Sequence, residues 1–226
     1  MRATYPRQDP PRGGVRSWWG KAWQRAVEEA AYSEAELKGG RTAARRGEVG
    51  GISVDAGALL AAVREGDDAW TVQVDVPVLD ASGRRSLVEV VAAESGRVAA
   101  LLAGELPHDL VEHAEELGVE LLPYGGELAA TCTCPHYLAP CPHAIAVLVQ
   151  TGWLVDVDPL VLFAVRGLDR EALLSALHAR TADLEEPPAR VADLVDDLEI
   201  AADAVLRARH LLELLESDAE VPDSLL

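Results

Sequence analysis

The sequence predicts an α+β protein: a small antiparallel β-meander, a helical middle region, a cysteine-rich knot and further helices towards the C-terminus. Three observations carry that expectation. Apolar residues recur at helical spacing after Ser17 and again over residues 82–118. Between these stretches, runs rich in β-branched residues are separated by turn signals. All three cysteines of the 226-residue chain fall between positions 132 and 141.

Residues 1–16 are rich in Pro, Gly and Arg and read as a flexible basic arm. In WWGKAWQRAVEEAAYSEAEL, Trp19, Trp23, Ala26, Val27, Ala30 and Ala31 recur at helical spacing, and Gly39-Gly40 reads as the stop. Trp18, Trp19 and Trp23 suit packing of this helix, with base stacking or partner anchoring as the alternative. ISVDAG, ALLAAVRE and WTVQVDVPVL form the meander, turning at Asp55-Ala56-Gly57 and Glu65-Gly66-Asp67-Asp68. ALLAAV is equally compatible with a helix.

SLVEVVAAE, RVAALLAGE and LPHDLVEHAEELG are short helices punctuated by Gly96, Pro107 and Gly118. ELLPYGGELAATC is a turn and a short strand. AIAVLVQTGWL, after His143, is almost wholly apolar and demands burial. Asp158-Pro159 and Asp169 each start another helix. Glu185-Glu186-Pro187-Pro188 ends a body spanning residues 17–183. Residues 184–226 then read as an acidic amphipathic helix, suited to packing, docking or homodimerisation.

Hydrophobic residues make up 49% of the chain, enough for a core without staples. An odd, bunched set of cysteines does not form a disulfide framework. MRATYPRQDPPRGG has no apolar run of the signal-peptide kind, and no window reaches the roughly 18 apolar residues of a membrane span. The expectation is a cytoplasmic protein that engages no membrane. The net charge is −18, but residues 1–48 carry +4 and the rest −22. The body should repel phosphate, leaving Arg2, Arg7, Arg12 and Arg16 of the arm as the groups able to neutralise DNA.

TCTCPHYLAPCPH holds Cys132, Cys134, Cys141 and His143 in the pattern C-x-C-x6-C-x-H. Thiolate and imidazole are the ligands zinc prefers, and four of them fill a tetrahedron. Pro135, Pro140 and Pro142 stiffen the connecting loop, lowering the entropy lost when the ligands gather. Four protein donors leave no place for water, so one bound Zn²⁺ would be structural. His136 competes with His143 for the fourth position. His143 is favoured because it mirrors the CxC pair and opens the apolar helix.

This spacing resembles the SWIM zinc finger. The segments SWWGKAW, GEVGGISVDAGALLAAV, LLAGELP, LLPYGGELAATCTCP, APCPHAIAVL and DPLVLFAVRG resemble the bacterial SWIM zinc finger family in the same order, over roughly residues 17–180. The resemblance implies a ββα finger at about residues 121–152, a short hairpin followed by the helix from His143. It implies Cys132, Cys134, Cys141 and His143 as ligands of one structural zinc. It also implies a non-enzymatic interaction or DNA-linked role, with an SNF2-type helicase as a possible protein partner. Pro142 stands where relatives often have lysine, and Asp67 and Asp68 where they often have a basic turn. Both changes argue against the finger itself as the phosphate-binding surface.

Two stretches of the sequence offer catalytic readings. His113-Ala114-Glu115 followed by Pro140-Cys141 resembles part of a zinc hydrolase or deaminase motif, with Glu115 as general acid/base, but Ala144 stands where the last cysteine is required. Asp156 and Asp158 could be paired acids, although Asp158-Pro159 reads more simply as a helix start.

Overall fold

The computed structural model describes residues 2–185 together with Val205 and Arg209. Five antiparallel strands lie side by side in chain order: β1 (Ala3–Tyr5), β2 (Val49–Asp55), β3 (Ala58–Glu65), β4 (Asp68–Asp75) and β5 (Ala129–Cys132). Ala56-Gly57 and Gly66-Asp67 make the two tight turns where the turn signals stand, and both glycines take positive φ. ALLAAV is strand. Leu59 pairs with Val54 and Val74, and Ala61 with Ile52 and Val72, so one face of three strands is buried together. The weak alternation of this segment reflects small or apolar residues on its outer face, Ala58, Leu60 and Ala62.

The arm, read from the sequence as a flexible segment, contains a short strand and hydrogen bonds to the body. Ala3, Thr4 and Tyr5 pair with Val54, Ser53 and Ile52. The Gln8 amide donates to buried Gln150 Oε1 at 3.3 Å, and the Arg16 and Ser17 amides donate to Asp156 Oδ1 at 3.0 and 2.8 Å. Proline and glycine disfavour a helix here, but an edge strand needs only a few extended residues.

The first helical stretch is two helices, α1 (Trp18–Ala30) and α2 (Glu34–Arg45). Ser33 separates them: its Oγ accepts from the Ala35 amide at 3.2 Å. Gly39 and Gly40 lie inside α2 rather than ending it. A Cβ on Gly40 would collide with Ile145, and one on Gly39 would sit 3.3 Å from Pro142. Close packing here outweighs the roughly 1 kcal/mol that a helical glycine costs.

The helical middle comprises α3 (Ala81–Ala92), α4 (Ser95–Leu102) and α5 (His108–Glu116). They are followed by α6 (Pro142–Val157), α7 (Leu160–Val165) and α8 (Arg170–Glu185). The hub is α6, with twelve of its sixteen residues buried. It packs against α1, α2 and the inner face of the sheet. The Trp19 and Trp23 indoles donate to the carbonyls of Val155 and Leu148 at 2.8 and 3.0 Å. Trp18 donates to Leu106 and lies against His108, with ring centroids 4.6 Å apart. All three tryptophans therefore bind α1 to the body.

The main compact unit extends to Leu177. A second begins at His178 within α8, and its described residues continue that helix to Glu185. The expected acidic helix over 184–226, with its pairing role, otherwise lies outside the described residues apart from Val205 and Arg209. No helix among the described residues is long and apolar enough to cross a membrane.

Candidate metal centre

The finger is assembled from three backbone positions. Cys132 ends β5, opposite Val72 of β4. Cys134 follows one residue on, and Thr133 holds the bend to the sheet: its amide donates to the Thr71 carbonyl at 3.0 Å and its Oγ1 accepts from the Thr71 amide at 2.9 Å. Cys141 is the N-cap of α6, and His143 is the second residue of that helix. Pro142 suits the first helical position, where no amide hydrogen is needed.

The ligand atoms of Cys132, Cys134, Cys141 and His143 all lie within 4.8 Å of one another. The Cys134 and Cys141 sulfurs are 3.6 Å apart, and Cys132 Sγ is 4.0 Å from His143 Nδ1. Sulfur ligands at about 2.3 Å from zinc, at the corners of a tetrahedron, stand about 3.8 Å apart. The donor set therefore fits a four-coordinate zinc in both chemistry and spacing. Among the described residues, no other group of three or more His, Cys, Asp and Glu side chains could hold a metal.

Burial pushes the Cys132 thiol up to about 12, reinforced by the neighbouring Cys134 and Cys141 sulfurs, while the Cys134 amide pulls the other way. Burial likewise raises Cys141, opposed by the Ala144 amide at the start of α6. The Cys132 and Cys141 thiols therefore both resist ionisation. A cation placed between them makes both thiolates favourable, and binding it must release their protons.

His136, the competing imidazole, is outside the cluster. It is exposed, its Nδ1 accepts from the Leu138 amide at 3.2 Å, and its ring stacks on Tyr137 at 5.6 Å. His143 is buried, and its free nitrogen is occupied: Nε2 lies 3.3 Å from Glu65 Oε2. The same oxygen accepts from the Trp70 indole at 3.3 Å. A carboxylate on the far nitrogen fixes the imidazole ring and turns Nδ1 towards the sulfurs. Sequence reading missed Glu65 and Trp70, because their spacing from His143 carries no local pattern. Only the pairing of β3, β4 and β5 brings them to the centre.

The finger also departs from a self-contained hairpin. β5 pairs with β4 of the main sheet, and the residues between β5 and α6 form no strand of their own. The finger's second strand is thus borrowed from the meander, and its helix is the core helix. The catalytic alternatives are not assembled. His113 lies on α5 with Nδ1 3.3 Å from the Arg97 guanidinium, and neither it nor Glu115 joins the cysteines. Asp156 receives the amides of Arg16 and Ser17 and the Ser17 hydroxyl, while Asp158 accepts from the Leu160 amide at 2.9 Å.

An α+β body that presents a C-x-C-x6-C-x-H cluster between a sheet edge and a buried helix defines a zinc-finger protein. Residues 117–152 match the SWIM zinc finger. The chain is similar to "Uncharacterized protein Rv2102" of Mycobacterium tuberculosis, 33% identical over 188 residues, covering 81% of this chain and 67% of that one. No solved structure matches it. The chain belongs to the SWIM zinc finger family.

Proposed function

We propose that this chain is a non-enzymatic interaction module in which one zinc ion, wrapped by Cys132, Cys134, Cys141 and His143, holds the finger in shape. The convergence of those four ligand atoms within 4.8 Å carries the reading. Four protein donors fill a tetrahedron, so the ion has no position for a reacting water. Its work is architectural: it ties the 133–141 loop to β5 and to the start of α6. On this reading the protein is a cytoplasmic accessory subunit of a DNA-linked complex, with an SNF2-type helicase as the partner class. Residues 184–226 are the segment through which it would pair with a second copy.

Metal analysis should find one zinc per chain, and substituting cobalt for zinc should give a tetrahedral thiolate spectrum that added anions leave unchanged. A cobalt spectrum with an exchangeable water would overturn the architectural role.

A second reading, direct DNA binding through the N-terminal region, is favoured by its charge of +4 within an otherwise acidic chain. Part of that charge is already engaged: Arg7 pairs with Asp9 at 3.6 Å, and the Arg16 guanidinium donates to the Arg12 carbonyl. Salt-sensitive DNA affinity that disappears when Arg2, Arg7, Arg12 and Arg16 are replaced by alanine would establish this second reading.

A further inference from the structure

The finger leaves one end of the sheet open. β5 pairs with β4 along a single edge. The Thr133 amide bonds the Thr71 carbonyl, which makes Thr71 and Thr133 a hydrogen-bonded pair. Such pairs alternate along an antiparallel ladder. Thr131 opposite Gln73 is therefore the next bonded pair, and Ala130 and Cys132 occupy the non-bonded positions between. The N–H and C=O groups of Ala130 and Cys132 point away from β4. Among the described residues neither backbone has a partner beyond the strand.

A cavity of about 220 Å³ lies along that edge. Ala130 and Cys132 line it from the strand, His136 and Leu138 from the finger loop, and Cys141 and Ala144 from the start of α6, so Cys132 and Cys141 of the metal cluster form part of its wall. A volume of that size has room for a single side chain. Tyr137, at its mouth, is 90% exposed. The chain carries a net charge of −18.

We infer that β5 is a docking edge for an extended, basic peptide segment of a partner protein. The segment adds a sixth strand through the outward groups of Ala130 and Cys132. It seats one Leu- or Phe-sized side chain in the cavity between β5 and the Tyr137-Leu138 loop. Main-chain bonds of this kind supply affinity, and the pocket supplies selectivity. The acidic field favours a cationic segment. The opposite edge is less receptive: β1 has three residues and runs into Pro6, which has no amide hydrogen. This inference rests on the interaction-module reading and gives that module its recognition chemistry.

The test selects random linear heptapeptides on the zinc-loaded full-length chain. Recovered peptides should combine a basic residue with one large apolar residue. They should bind Ala130→Pro about tenfold or more weakly and lose binding when alternate peptide amides are N-methylated. Proline at 130 removes an amide hydrogen that bonds nothing in the free chain, the position at which a strand tolerates it. Should that variant misfold, the N-methyl series on the wild-type chain decides alone. Peptides that bind both chains equally and tolerate every N-methyl group overturn the docking edge while leaving the module reading intact. Recovery of no peptide overturns it too. A water-bearing cobalt spectrum would instead sink the module reading without touching β5.

Discussion

The two ends of α6 are held by different chemistry. At its start, Cys141 and His143 meet Cys132 and Cys134 across a half-buried loop in a donor set that suits zinc. From Leu148 onward the helix is gripped by Trp23 and Trp19, whose rings are buried and whose indoles donate to its carbonyls. The second grip is built from apolar area and needs no cofactor. The first is a few sulfur and nitrogen atoms whose fitting partner is a metal ion. The comparison teaches that the body and the finger share an element but not a source of stability.

Breaking the tryptophan end should have the largest effect. Trp23 is fully buried, and a Cβ on Gly152 would already lie 2.9 Å from its ring, so the site is tightly filled. Trp23→Ala should cost about 3–5 kcal/mol, a large share of a typical domain's stability, and shift the urea midpoint sharply.

Breaking the metal end should be local. Cys132→Ser should abolish zinc binding and expose the amides of residues 133–141 to hydrogen exchange, while strands β2 to β4 keep their protection. Loss of protection throughout the sheet would erase the contrast between the two ends. The same centre sets a pH dependence. The metal-free Cys132 thiol, pushed up to about 12, and the raised Cys141 thiol are protonated at neutral pH. Zinc must displace those protons, so affinity rises with pH and falls on acidification. Titrating zinc into a weakly buffered sample at neutral pH should release as acid at least the protons of Cys132 and Cys141, about two per ion.

A smaller effect sharpens the comparison. Glu65→Gln keeps the shape but weakens the hydrogen bond to His143 Nε2, and should lower zinc affinity about tenfold with little change in the urea midpoint. A competition titration with a chelator reads the first quantity and denaturation reads the second. Equal affinity in wild type and variant would mean the carboxylate does not orient the ring.

The cluster was legible in the sequence because its ligands lie within twelve residues and their types and spacing carry the chemistry. The meander turns were legible because Gly57 and Gly66 sit where only glycine is unstrained. What was misread depended on distant partners. Gly39-Gly40 looks like a helix stop until Ile145 and Pro142 are seen packed against it. β1 has three residues, too few for a period. The finger's expected hairpin failed because its second strand, β4, lies more than fifty residues upstream of β5. Glu65 looked like a turn residue, and only three-strand register carries it to His143.

Because one helix serves both as the finger's helix and as the spine of the core, the segment that matches the finger is not a portable cassette. Residues 117–152 cut out alone would carry all four ligands yet lose Thr71, Glu65 and Trp70, and would leave an oily rod with nothing to cover it. Transplanting this metal centre into another scaffold would mean moving the meander and both tryptophan-bearing turns of α1 along with it.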